Sequence, residues 1–303
     1  MNQPRRTLIT SPLALAMAAA LPPPAHAATP VRKTIPSSGE ELPAIGVGTA
    51  RRYQGSHDAA TLGTLRATLR RFTELGGTVI DTAPSYGNAE AVVGSLLPDL
   101  PPDRPLFLAT KVGATGRAAG EAQVQASFRR LGRDRLDLVA VHNLQDTATQ
   151  LELLRELKHA GRIRYVGATT SNDRQYADFE AMMARETLDF IQVDYALDNR
   201  GAAERLLPLA RERRMAVMVN LPFGRGRLFQ ATRDKPLPAW ASEFDCGSWA
   251  QFFLKYLIGH EAVTCVIPGM ARPEYVVDNM GAAFGRTPDA ATRKRMEAFI
   301  DAI

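Results

Sequence analysis

The chain has 303 residues, of which 45% are hydrophobic, so its length suits one large α/β domain. The formal net charge is +5, and without the two arginines of a predicted signal segment 35 basic side chains face 32 acidic ones, which gives no reason to expect a nucleic-acid partner. Cys246 and Cys265 are the two cysteines, and neither has a His or Cys at ligand spacing, so we predict no metal site.

Residues 1–27 have the pattern of an export signal. A charged start at Arg5 and Arg6 precedes the apolar stretch 13–21, and Ala25-His-Ala27 forms a small-residue cleavage site. The arginine pair resembles the twin-arginine class, whose machinery carries folded proteins, often with a cofactor inside. An ordinary secretory signal is the alternative, and both predict a periplasmic bacterial protein. No other stretch approaches the roughly 20 apolar residues of a membrane span, so we expect no stable membrane insertion.

The remaining residues, 28–303, are predicted to form one domain. The segments 31–35 and 41–43 flank a turn-like stretch and predict an N-terminal hairpin. Short apolar runs then alternate with helical patterns in eight strand-helix units. The predicted strands are 45–49, 78–80, 106–110, 136–141, 163–168, 190–193, 215–219 and 263–267, and the predicted helices are 58–75, 89–97, 119–131, 146–160, 173–185, 201–212, 249–258 and 274–284. With an extra C-terminal helix at 289–303, the pattern predicts an α/β fold of the (β/α)8 TIM-barrel type.

Three of these predicted strands are each followed directly by a residue with an ionisable side chain. Asp81, Lys111 and His142 follow successive apolar runs, and Tyr86 comes shortly after Asp81. Because the carboxyl ends of barrel strands face one mouth, we expect the four to meet. A phenol of pKa about 10 protonates an alkoxide poorly at neutral pH, so Lys111 is predicted to lower the pKa of Tyr86 while Asp81 keeps Lys111 charged. His142 can donate to a substrate carbonyl, and the hydride must come from a cofactor, usually a nicotinamide.

The segment Asp81-Thr-Ala-Pro-Ser-Tyr86-Gly, with Lys111 and His142 after it, resembles the Asp-x-x-x-x-Tyr-Gly signature and tetrad of the aldo-keto reductase family. The resemblance covers residues 31–303. It implies an (α/β)8 barrel that uses NADPH to interconvert carbonyl compounds and alcohols. Tyr86 would be the general acid and base, with a small-molecule carbonyl compound or a sugar as substrate.

The resemblance also implies a cofactor site. The loop 221–228 resembles the family's pyrophosphate loop, and the segment 267–279 resembles the part that holds the adenosine 2′-phosphate and the adenine. Arg272 would hold the phosphate, Gln192 would contact the nicotinamide amide, and Asn220 stands where the family has a stacking tyrosine. The implied contacts are Thr169, Thr170, Gln192, Asn220, Pro222, Phe223, Gly224, Arg225, Gly226, Gly269, Arg272 and Asn279.

Two usual phosphate contacts are replaced in this chain, by Pro268-Gly-Met270 and by Tyr275, so NADP(H) is expected over NAD(H) without NAD(H) being excluded. Two functions remain open. The first is an exported oxidoreductase with the twin-arginine machinery as a partner, and the alternative is a non-catalytic nicotinamide-cofactor-binding or sensory barrel in the cell envelope. The side chains predicted to line a substrate pocket are Tyr53, Asn143, Tyr195, Phe223 and Trp240.

Overall fold

The computed structural model describes residues 29–103 and 105–303, so the export signal predicted at 1–27 lies outside the described residues. The predicted N-terminal hairpin is confirmed, because β1 (Arg32–Thr34) and β2 (Glu41–Pro43) pair antiparallel. Eight further strands in the described part of the chain form a parallel sheet. They are β3 (Val47–Gly48), β4 (Val79–Asp81), β5 (Phe107–Val112), β6 (Leu136–Val141), β7 (Ile163–Thr169), β8 (Phe190–Asp194), β9 (Ala216–Asn220) and β10 (Val263–Val266).

The eight strands close into a barrel in which each strand pairs with its neighbour in the sequence. Parallel bridges join Ile45 to Val266 and Gly48 to Gly269, so the first strand meets the last. The backbone N–H of Gly46 donates to the carbonyl of Val266 at 2.8 Å across this seam. The predicted (β/α)8 fold is therefore confirmed.

Helices follow the strands and cover the outside of the barrel. They are α1 (Ala59–Glu74), α2 (Ala89–Leu96), α3 (Arg117–Leu131), α4 (Thr147–His159), α5 (Tyr176–Arg185), α6 (Ala202–Glu212), α7 (Arg227–Ala231), α8 (Trp249–Ile258), α9 (Pro273–Gly281) and α10 (Ala290–Asp301). The short helix α7 lies in the long loop between β9 and α8, and α10 is the extra C-terminal helix. In the described part of the chain, none of the helices has the length and apolar character that crossing a membrane requires.

The interior of the barrel is filled by alternate residues of the strands, as the period-two geometry of strands dictates. They include Val79, Ala109, Leu138 and Met218, with three aromatic rings among them. The hairpin side chains Ile35 and Leu42 are buried in the same cluster. The hairpin therefore plugs the amino end of the barrel, which leaves the carboxyl ends of the strands as the end that can hold a site.

Candidate active site

The four predicted catalytic side chains lie at the carboxyl ends of adjacent strands. Asp81 ends β4, Lys111 is the fifth residue of β5, and His142 directly follows β6 in a short 3-10 turn. Tyr86 lies in the loop that leads from β4 to α2. Asp81 and Lys111 each face inward at the layer above the apolar barrel core, because they continue the alternation that places Val79 and Ala109 in that core.

A buried ion pair forms the floor of the site. The ammonium of Lys111 donates to both oxygens of Asp81, at 2.8 and 2.9 Å, and to the backbone carbonyl of Thr82 at 2.8 Å. The two side chains are only 2% and 5% exposed, and Gln192 Nε2 adds a hydrogen bond to Asp81 Oδ1 at 3.0 Å. Burial alone would lower the pKa of Lys111, but Asp81 and Tyr86 outweigh it and raise that pKa, so Lys111 is a cation.

Tyr86 lies against this cation, with Lys111 Nζ 5.3 Å from the centre of its ring. Burial raises the pKa of the Tyr86 phenol above its ordinary value, and the charge of Lys111 opposes that rise. Lys111 therefore acts in the predicted direction, but burial has the larger effect and the net shift is upward. At neutral pH Tyr86 is a protonated phenol, which is the form that can donate a proton.

His142 presents its ring to Tyr86, with 6.2 Å between the ring centres and an angle of 81° between the planes. Ser85 Oγ lies 3.3 Å from His142 Nδ1. Burial, helped by the charge of Lys111, lowers the pKa of His142 to about 4. The imidazole is therefore neutral at pH 7, and its single N–H can donate to a carbonyl oxygen.

A cleft of about 590 Å³ opens above these groups at the mouth of the barrel. Lys111 lies just beneath it, in the layer that also contains Thr169 and Gln192. The predicted site residues that line the cleft itself are Asp81, Tyr86, His142, Thr169, Gln192, Asn220, Pro222, Phe223, Arg225, Gly226 and Gly269. The fold thus brings together residues that are spread over most of the chain.

Four predicted cofactor contacts lie outside the lining of this cleft. Thr170 is fully buried, and its hydroxyl is bonded within its own loop to Asn172 and Gln175. Gly224 borders a neighbouring polar cavity. Arg272 is 60% exposed just before α9, and Asn279 is buried within α9. Their roles toward a cofactor stay predictions.

Of the five side chains predicted to line a substrate pocket, two line the cleft and three do not. Asn143 and Phe223 line the cleft as predicted. Tyr53 is fully buried and its hydroxyl donates to the carbonyl of Met270, so Tyr53 does not line the cleft. Tyr195 and Trp240 do not line it either, because Tyr195 is buried in a hydrogen-bonded network and Trp240 packs in an aromatic cluster beside α8.

The loop after β3 supplies cleft residues that the sequence patterns did not single out. Arg51 and Arg52 are exposed and line the cleft. Arg51, Asn143, Leu221 and Arg225 all have positive φ angles, of 67°, 50°, 50° and 57°, although none is glycine. Such strained backbone occurs preferentially at functional sites. The signal that could have identified the two arginines is their place in one of the eight loops at the carboxyl end of the barrel.

The cleft suits a nicotinamide dinucleotide on its own chemistry. Pro222, Phe223 and Ile267 give it an apolar wall for a ring, and Arg225 gives it a cation for phosphate. Asn220 lines the cleft, and its Oδ1 is a buried acceptor that no donor among the described residues satisfies. Buried polar atoms in proteins are normally paired, so this one fits a ligand with an N–H or O–H group.

Comparison with known proteins identifies the family of the chain. The family model described as "Aldo/keto reductase family" matches residues 44–298. The chain belongs to this family. It is accordingly an NAD(P)H-dependent oxidoreductase.

Two curated relatives and one solved structure illustrate the likeness. The chain is 34% identical over 260 residues to methylglyoxal reductase YeaE of Escherichia coli (strain K12), across 82% of this chain and 88% of that one. It is 30% identical over 184 residues to an NADH-specific methylglyoxal reductase of the same organism, across 50% and 54%. An aldo-keto reductase of Klebsiella pneumoniae in complex with NADPH superposes with a TM-score of 0.71 at 30% identity, covering 89% of this chain and 95% of that one.

We expect His142 to remain neutral from pH 8 down to about pH 5, because burial and Lys111 lower its pKa to about 4. Between pH 6.5, the ordinary pKa of histidine, and pH 4, the unfolded chain binds a proton at this histidine that the folded protein does not bind. The contribution of His142 to the free energy of unfolding is therefore complete above pH 6.5 and is lost as the pH falls toward 4. Nuclear magnetic resonance of labelled histidines, with His142→Gln to assign the signal, measures this pKa, and a value near 6.5 would contradict the described environment.

Proposed function

We propose that the protein reduces a small aldehyde or ketone with NADP(H) as cofactor, and that Tyr86 supplies the proton. The observation that carries this proposal is the neutral phenol of Tyr86 beside the buried pair of Lys111 and Asp81. When bound, a nicotinamide cofactor supplies the hydride that none of these side chains can provide.

Each group has a definite part in the proton transfer. The N–H of neutral His142 donates to the carbonyl oxygen and draws negative charge onto it. Tyr86 then gives its phenolic proton to the alkoxide that forms, and Lys111 stabilises the phenolate left behind. Asp81 keeps Lys111 charged throughout. In the oxidation of an alcohol the same phenolate accepts the proton.

The substrate that this cleft suits is a small carbonyl compound or a sugar. The mouth combines the apolar ring of Phe223 with the polar side chains of Asn143, Arg51 and Arg52. One curated relative is a methylglyoxal reductase, and methylglyoxal is a small polar dicarbonyl compound. This likeness supports a substrate of similar size and polarity.

The preference for NADP(H) over NAD(H) depends on Arg272. Its guanidinium forms an exposed ion pair with Glu274 at 2.6 Å. Exposed pairs of this kind contribute at most about 1 kcal/mol, so a 2′-phosphate can take the place of the carboxylate. The NADPH complex of the Klebsiella protein supports this preference, whereas the NADH-specific relative shows that both cofactors occur among similar chains.

Tyr86→Phe should lower kcat for reduction of aldehydes by about 10²- to 10⁴-fold, the usual contribution of a positioned general acid. The dissociation constant for NADPH should change little, because the ring is kept. Assays of NADPH oxidation with a panel of aldehydes and sugars measure the rate, and fluorescence titration measures the binding. Tyr53→Phe is the matched control, since that buried hydroxyl bonds to Met270 away from the cleft and its loss should leave the rate near wild type.

The same assay separates the two functions. If the wild type binds NADPH but turns over none of the compounds, and Tyr86→Phe is indistinguishable from it, the barrel serves as a non-catalytic cofactor-binding or sensory protein of the cell envelope. Asn220, which offers no aromatic face to a nicotinamide ring, is the observation that favours this second candidate.

We further propose that residues 1–27 direct the chain to the periplasm through the twin-arginine export machinery and are removed, which leaves 28–303 as the mature barrel. The arginine pair, the apolar stretch and the small-residue cleavage site support this. A route for folded proteins would let the enzyme leave the cytoplasm with its cofactor already bound.

Arg5→Lys/Arg6→Lys should hold the precursor in the cytoplasm, because the twin-arginine machinery reads that pair. Cell fractionation and immunoblotting measure the distribution and the size of the chain. Arg213→Lys/Arg214→Lys, the same change at an arginine pair after α6, should be exported normally. Continued export of the Arg5 and Arg6 variant would show that an ordinary secretory signal is at work.

A further inference from the structure

The side chain of Asn220 lies at the mouth of the barrel and lines the cleft. It is the last residue of β9, and Ala216 and Met218, two and four residues before it, lie in the inner core of the barrel. Asn220 therefore continues the inward alternation at the mouth of the barrel, where it lines the cleft together with Gln192. In the register of the sheet it is paired with Asp194 of β8.

The amide of Asn220 is held in one orientation. Its Nδ2 donates to the backbone carbonyl of Thr170 at 3.2 Å. Only the NH₂ end of an amide can donate to a carbonyl, so this contact fixes Oδ1 as the opposite end. Oδ1 is buried, and the described part of the chain provides no donor for it. A buried acceptor without a partner destabilises the protein by its desolvation penalty. A ligand whose donor binds this acceptor removes that penalty.

Gln192 on the neighbouring strand is also anchored through its NH₂ group. Its Nε2 donates to Asp81, and its Oε1 has no hydrogen bond to the residues that the structure describes. Two amide side chains that line the cleft thus donate through their NH₂ groups to the protein, while their oxygens accept no hydrogen bond from the described residues. A ligand that matches them presents hydrogen-bond donors, N–H or O–H, rather than acceptors.

The reacting carbonyl group of a substrate does not meet this requirement. Its oxygen is an acceptor, which the donors Tyr86 and His142, located after β4 and β6, can serve. The nicotinamide ring, in contrast, carries a primary carboxamide with two N–H donors. Its chemistry complements the oxygens of Asn220 and Gln192.

We propose that Asn220 Oδ1 accepts a hydrogen bond from the carboxamide N–H of the nicotinamide, so that β9 recognises the cofactor through its amide and not through a stacked aromatic ring. This inference rests on the proposed function, because it requires a nicotinamide cofactor. It assigns Asn220 a role in binding and in selecting the cofactor head group.

The test compares NADP⁺ with its 3-acetylpyridine analogue, in which a methyl ketone replaces the carboxamide and no N–H remains. Isothermal titration calorimetry gives both dissociation constants for the wild type and for Asn220→Leu, a change that keeps the volume and removes the acceptor. The wild type should bind NADP⁺ at least about 5- to 10-fold more tightly than the analogue, the contribution expected for one hydrogen bond to the buried acceptor of Asn220. In Asn220→Leu the ratio should fall by about 5- to 10-fold from its wild-type value, whatever Gln192 contributes in both proteins.

Ser171→Ala is the control, because Ser171 lines the same cleft and its hydroxyl has only a long contact of 3.4 Å with Asn143. This variant should keep the wild-type ratio. The proposal is overturned if the wild type binds both compounds equally, or if Asn220→Leu weakens both by the same factor, since that outcome identifies a purely structural role. If the wild type binds no nicotinamide dinucleotide, the proposed function fails first and the inference falls with it.

Discussion

The buried ion pair between Lys111 and Asp81 is the interaction on which the site depends. Burying two charges is costly unless each is fully paired and hydrogen-bonded. The barrel meets this condition by placing the two residues at the ends of adjacent strands and by adding the Thr82 carbonyl and the Gln192 amide as further partners. Beneath the pair, the apolar core and the hairpin that plugs it exclude water from below, so the charges face a single open end.

Burial sets the protonation of both neighbouring groups, and the charge of Lys111 modifies it. Lys111 lowers the pKa of the Tyr86 phenol against the effect of burial, and it adds to the effect of burial in lowering that of His142. The result is a protonated phenol beside a neutral imidazole, two hydrogen-bond donors on one side of the cleft. The opposite strands, β8 and β9, present amide oxygens instead. The two halves of the mouth are thus complementary to different ligands, a carbonyl compound and the amide of a nicotinamide.

Much of this could be predicted from the sequence because the decisive patterns are local. An apolar run that ends in Asp81 or Lys111 specifies both a strand and a side chain at its carboxyl end. The place of Tyr53 could not be predicted, since its hydroxyl bonds to Met270, 217 residues away in the chain. The net shift of the Tyr86 pKa also lies beyond sequence patterns, because it depends on how deeply the folded protein buries the phenol. Arg51 and Arg52 were missed because exposed arginines are usually only solvated surface residues.

The pH dependence of kcat for carbonyl reduction, compared between the wild type and Lys111→Met, tests most directly whether Lys111 controls Tyr86. Reduction needs the protonated phenol, so the rate should fall as the pH rises through the pKa of Tyr86. Without the cation that pKa should be higher, and the alkaline fall of the slower variant should move to higher pH or leave the measurable range. An alkaline limb at the same pH in both proteins, with circular dichroism showing both folded, would contradict the account.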